Sequence, residues 1–301
     1  MEQSTLKTEK TPTRREQHRF LSRHPILGFI LLTLWCWLFV QLGGVVVGMI
    51  GGAAMIMGYA AYWLMPVGGL VSAGMAFLAL LIHKCWFRPE FSGCLTRRYF
   101  GLGLAFVAAD IVYAVVGLFT EPCSMAGLTL NNLTMALAAG VTEEVIFRAV
   151  PGSYLMRQWR EEKKIPVVML LTAAVFGLIH ATNLAYGADL GATVVQILGA
   201  FGIGVLYAAA FLRTGNIWPC MLIHFLHDVL AFLATEAIQN GIQVTALATV
   251  DVVVSLIFTV IFVVLGFWLV RPAKRAGILR LWDEKWSRAE ARAIPEPAET
   301  A

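Results

Sequence analysis

The sequence predicts an all-α fold, a polytopic membrane helix bundle of about eight transmembrane helices. Three observations predict it. Of its 301 residues 58% are hydrophobic and only 14% charged, where soluble domains run near a quarter charged. Residues 26–82 contain no Asp, Glu, Lys or Arg; because roughly 20 apolar residues cross a hydrocarbon core, this stretch reads as two crossings. Finally, 22 of the 23 Lys and Arg fall in alternate connections along the chain, as expected when loops are sorted between the two sides of a bilayer.

The elements follow in order. Residues 1–25 form a basic tail, too long and too polar for the leading region of a signal peptide, and read as cytosolic. Apolar runs between polar or Gly/Pro punctuation give helices near 26–53, 62–82 and 99–119, an N-terminal transmembrane block over 26–125. Helices near 127–150, 166–184, 191–212 and 217–235 make a core over 126–236. A last helix near 246–270 falls in 237–271, and residues 272–301 form a second cytosolic tail. Eight crossings place both termini on one side. The tails and the even-numbered connections hold every Lys and Arg but one, and the odd-numbered connections hold none. The positive-inside rule therefore puts both termini in the cytosol of an integral, multi-pass membrane protein. In the C-terminal tail, Ile278, Leu281, Trp282 and Trp286 share a helix face opposite Lys and Arg, the pattern of an interfacial helix on an anionic leaflet. The five cysteines, Cys36, Cys85, Cys94, Cys123 and Cys220, have no CxxC spacing and suggest neither a disulfide framework nor a cysteine zinc site.

The one cation outside the pattern is Arg148, inside the fourth helix in VTEEVIFRAV. A charge at mid-bilayer costs about 2.5–3.5 kcal/mol on insertion scales, so intramembrane ionisable groups face the bundle interior and satisfy one another. Helix four carries Glu143, Glu144 and Arg148; helix five carries His180; helix seven carries His224, His227 and Asp228. Glu144 and Arg148 are four apart and share a face, as are His224 and Asp228. Glu143 lies about 100° round from Glu144. One carboxylate is thus neutralised by a cation while its neighbour stays free and desolvated, the condition of a general base. Glu143, Glu144 and Asp228 against Arg148 leave a net negative set that calls for protons or a divalent cation, and Glu143, His180, His224 and Asp228 are ligand types suited to Zn²⁺. A metal at these four residues is the expectation. His227 faces away from His224, and Asp110 in helix three is expected to find a donor elsewhere in the bundle.

These residues carry a resemblance. EEVIFR (143–148) matches EExxxR, FGLIH (176–180) matches FxxxH, and HFLHD (224–228) matches HxxxN/D. In that order on three transmembrane helices they resemble the CPBP family of intramembrane proteases, which includes type II CAAX prenyl endopeptidases and Abi-type proteins. The match covers about residues 132–232. The resemblance implies that Glu143 and His180 activate the attacking water and that His224 and Asp228 stabilise the oxyanion or help hold a metal. It makes Glu144 and Arg148 the orienting pair. The substrate would be a membrane-associated peptide or protein, such as a CAAX-like tail or a leader peptide, met within the lipid bilayer; no nucleic acid is expected as a partner. Asp228 stands where Asn is a common alternative, and a carboxylate donates to an oxyanion only when protonated. Pro151 follows soon after Arg148 and is expected to break or kink the fourth helix. HExxH and GxGD are absent. A proton-coupled transporter on the same carboxylates is the first rival reading, although matching halves are absent. A non-catalytic immunity or scaffold protein on the same fold is the second.

Overall fold

The computed structural model describes residues 23–60, 62–86, 95–120, 123–233, 238–239, 242–243 and 247–293, with the backbone alone at 84–86, 238–239, 242–243 and 286–293. Among the described residues ten α-helices follow one another: α1 (Pro25–Ile56), α2 (Leu64–Trp86), α3 (Phe100–Thr120), α4 (Leu130–Glu144), α5 (Val150–Gln158), α6 (Ile165–Ile179), α7 (Leu190–Thr214), α8 (Trp218–Ala231), α9 (Thr249–Leu269) and α10 (Pro272–Ala293). A π-helical turn, Val145–Ala149, joins α4 to α5, and a 3₁₀ segment, His180–Tyr186, extends α6. Among the described residues the only strands are β1 (Ile238–Gln239) and β2 (Ile242–Gln243), an antiparallel pair in the connection from α8 to α9. The basic N-terminal tail to residue 22, Cys94 and the side chains of Cys85 and Trp286 lie outside the described residues.

All eight expected crossings are helical. Six meet the length and apolarity of a membrane span: Pro25–Ile56, Leu64–His83, Phe100–Thr120, Glu162–Tyr186, Leu190–Thr214 and Thr249–Leu269. The chain is thus an integral membrane helix bundle. The other two are the motif helices. α8 has 14 residues, about 21 Å at 1.5 Å per residue, and α4 with α5 is interrupted by the π turn. The polar residues that make them informative also lower their hydropathy.

The ends are set by local chemistry. Thr129 caps α4 by accepting from the Asn132 amide at 3.1 Å. Asp189 caps α7 by accepting from the Ala192 amide at 2.8 Å, leaving fewer unsatisfied amides in the first turn. At the other end of α7, Gly215 takes a left-handed φ of 59° and its N–H closes on the Phe211 carbonyl, the usual glycine stop. The break or kink expected near Pro151 corresponds to an interruption of the α-helix by a π turn at Val145–Ala149. The helical run passes from Leu130 to Gln158, because the chain widens into a π turn whose closing bond runs from the Val150 N–H to the Val145 carbonyl. Proline lacks an N–H and crowds the carbonyl four residues back, and a π turn is one way a helix absorbs that defect.

The interfacial helix expected in the C-terminal tail is present as α10, but its apolar face covers protein rather than lipid. Ile278, Leu281 and Trp282 are buried. Trp282 Nε1 donates to the Leu212 carbonyl at 2.9 Å, Trp282 meets Phe211 edge-on, and Lys285 Nζ donates to the Gly215 carbonyl. Arg98–Glu284 and Arg160–Asp283 ion pairs lie at the rim. α10 thus closes one end of the bundle, where the carbonyls at the end of α7 need donors.

Candidate active site

The site is assembled by two close helix approaches, each made at a glycine one turn before a motif residue. At Gly140, a Cβ would lie 2.8 Å from the Phe225 backbone nitrogen and 2.9 Å from the Met221 carbonyl of α8. At Gly177, a Cβ would lie 2.9 Å from the Ile197 carbonyl of α7. These contacts bring α4 against α8 and α6 against α7. Glu143 and Glu144 then follow Gly140 on α4, and His180 follows Gly177 at the junction of α6 with the 3₁₀ segment.

The two adjacent glutamates occupy different surroundings. Glu144 is fully buried, and its Oε1 accepts from Arg148 Nη1 at 2.5 Å. The same oxygen lies 3.0 Å from His224 Nδ1, so Nδ1 carries the ring proton and donates. Arg148 is also fully buried; its guanidinium stacks over Phe176 at 3.9 Å and lies 5.7 Å from the Tyr207 ring. Glu143 is turned outward, with 30% of its side chain exposed, and its Oε2 stands 3.7 Å from His224 Nε2. On the other side of that nitrogen, Asp228 Oδ2 lies at 3.8 Å. His224 therefore links the set: one nitrogen is committed to the buried carboxylate and the other faces two accessible ones.

His180 joins through an aromatic side chain. Its Nδ1 donates to the Phe176 carbonyl at 2.9 Å, which leaves Nε2 as the acceptor of the neutral ring. His180 and His224 both meet the Phe176 ring edge-on, with centroids 5.4 and 5.9 Å away. Phe176, the first letter of FGLIH, thus packs against both histidines and the arginine, which is a physical reason for an aromatic residue there.

The expected metal set fits this geometry poorly. Glu143 and Asp228 both approach His224 Nε2, at 3.7 and 3.8 Å, while His180 Nδ1 is committed to the Phe176 carbonyl. Among the described residues no group of three or more His, Cys, Asp or Glu side chains is placed to hold a metal ion.

A second polar cluster escaped the motif reading. Asp110 of α3 is fully buried. Its Oδ2 accepts from the Tyr207 hydroxyl at 2.5 Å, and its Oδ1 accepts from His227 Nδ1 at 3.0 Å. Tyr207 in turn meets His224 edge-on at 6.1 Å, so the two clusters touch. The signal was in the sequence as a lone intramembrane Asp. Its partners are about a hundred residues away, and no spacing rule reaches that far.

Fold and site together define an integral membrane helix bundle with a titratable centre assembled from α4, α6 and α8. Residues 125–230 match the family model described as Type II CAAX prenyl endopeptidase Rce1-like, in agreement with the CPBP resemblance, and all three motifs lie within that span. No curated protein and no solved structure matches the chain.

Proposed function

We propose that this protein is an intramembrane endopeptidase that hydrolyses a peptide bond of a membrane-associated substrate. The family match supports a protease. The observation that carries the mechanism is the division of labour between the adjacent glutamates: Glu144 is locked on Arg148 with neither side chain exposed, while Glu143 is accessible beside His224 and Asp228.

In this reading Glu143 is the general base and a water lies between it and the substrate carbonyl. Glu143 takes a proton from the water as the oxygen bonds to the carbonyl carbon, with His180 Nε2 holding the water by accepting its second O–H. The carbonyl oxygen becomes an oxyanion facing His224. Because Nδ1 is committed to Glu144, Nε2 carries a hydrogen only in the imidazolium, and in that form it donates to the oxyanion. Asp228, near the same nitrogen, compensates the imidazolium, and protonated it donates as well. Collapse breaks the C–N bond, and the proton held by Glu143 passes to the leaving nitrogen. Glu144 and Arg148 are positioning residues that fix the ring of His224. A metal is the second form of the mechanism: Glu143, His180, His224 and Asp228 would hold it, and it would lower the pKa of the attacking water and polarise the carbonyl.

A CAAX-like tail, a leader peptide or another membrane protein would each present a bond to such a site. The distribution of Lys and Arg supports a cytosolic location for both termini. The test is cleavage by purified protein, with substrates found by mass spectrometry of peptides from membranes with and without the chain. Glu143→Gln is expected to abolish cleavage at normal expression. Equal activity of the variant and the wild type would overturn the assignment, and a biological effect retained in a variant that cleaves nothing would favour the scaffold reading.

A further inference from the structure

α8 stands between two polar regions. On the side of α4 it carries His224 and Asp228. On the side of α3 it carries His227, which lines a cavity of about 240 Å³ bounded by α3, α7, α8 and α9. The other polar side chains of the lining are Tyr113, Thr120, Gln196, Asp251 and Ser255, and no Lys or Arg is among them. The cavity lies at the end of the bundle opposite α10, near the start of α7 and the end of α8.

Two of its groups are open to a further hydrogen bond. Asp251 Oδ1 is buried without a hydrogen bond. His227 donates Nδ1–H to Asp110, so the neutral ring has Nε2 as an acceptor, and His227 lines the cavity. An apolar cavity of this size stays dry, but one lined by several polar atoms is wet. At about 30 Å³ per molecule in the liquid, it has room for several waters.

Hydrolysis consumes one water for each bond broken. A peptide seated over the exposed sides of Glu143 and Asp228 covers the direct approach to them. The cavity reaches α8 from another side. His227 and Asp228 are consecutive, with Cα atoms about 3.8 Å apart, and Asp110 ties His227 to Tyr207, whose ring meets His224.

We propose that this cavity is a water-filled chamber that supplies the hydrolytic water to the catalytic groups while substrate occupies the site, with the Asp110–His227 pair as its inner wall. The proposal rests on the protease reading. The test uses two glycines of α3. Gly117 lines the chamber and Gly101 does not, and a Cβ built at either meets nothing within 4 Å. Gly117→Phe fills the chamber, and Gly101→Phe is the control on the same helix. Separately, Ser255→Cys is treated in native membranes with a small charged methanethiosulfonate and read by peptide mass spectrometry. Exposed Cys123 and buried Cys36 of the same chain are the standards.

Cys at 255 is expected to be modified faster than Cys36, and Gly117→Phe is expected to slow that modification. In a cleavage assay Gly117→Phe is expected to lower kcat about tenfold at unchanged KM, with Gly101→Phe matching the wild type. No modification at 255 while Cys123 reacts would show a dry or lipid-filled cavity and overturn the proposal. Modification at 255 with wild-type kcat in Gly117→Phe would overturn the supply role. A wild type that cleaves nothing would instead sink the protease reading and the supply role with it, leaving a hydrated chamber standing.

Discussion

Replacing Arg148 with alanine removes the arginine paired with a carboxylate that has no exposure. Glu144 would keep the donation from His224 Nδ1 to Oε1, but Oε2 already lacks a partner. Removing one partner of a buried ion pair costs about 3–5 kcal/mol, because the other is stranded in a low-dielectric interior. That is a factor of roughly 10²–10⁴ in the folded population. The guanidinium also lies 3.9 Å over Phe176, a cation–π contact worth about 2 kcal/mol where it is desolvated. Arg148→Ala should therefore give little folded protein and a melt well below the wild type in detergent. Glu144→Gln/Arg148→Ala removes the stranded charge and keeps an acceptor for His224, so it should recover much of the loss, with a large coupling in the double-mutant cycle. Arg148→Lys should fall between, since it keeps the charge and loses the planar stack. The assay is thermal unfolding followed by size-exclusion chromatography of these three variants, Glu144→Gln and the wild type. Arg148→Ala melting with the wild type would refute the buried pair, and additivity in the cycle would refute the coupling.

Three further outcomes follow from the geometry. Gly140→Ala puts a methyl group against the backbone of α8; the forced separation should lower kcat about 10²-fold, as a displacement near 1 Å commonly does, with a smaller effect in Gly44→Ala, where space is open. Trp282→Ala should destabilise the fold by about 3–5 kcal/mol, because the ring is buried and hydrogen-bonded to the end of α7; a wild-type melt would show that α10 is not docked. Dialysis against phenanthroline should leave cleavage intact in protein purified without metal resin, since the carboxylates and imidazoles do not form a metal cage; stoichiometric zinc whose removal abolishes activity would restore the metal form of the mechanism.

The sequence alone determined the membrane class, the helical segments and the residues of the centre. These are local properties. Hydropathy needs only a window of neighbours, and the pairing of Glu144 with Arg148 needs only the four-residue repeat of one helix. The split between Glu143 and Glu144 was legible for the same reason, because adjacent helical residues point about 100° apart. What the tertiary structure decided depends on which helix faces which. His224 reaches Glu144 across 80 positions, and Asp110 reaches Tyr207 and His227 across 97 and 117; nothing in the spacing of either segment selects the other. The amphipathic face of α10 was readable too, but not what covers it: lipid and the end of α7 both accept an apolar face, and only the packed bundle, with the Leu212 and Gly215 carbonyls open to Trp282 and Lys285, distinguishes them.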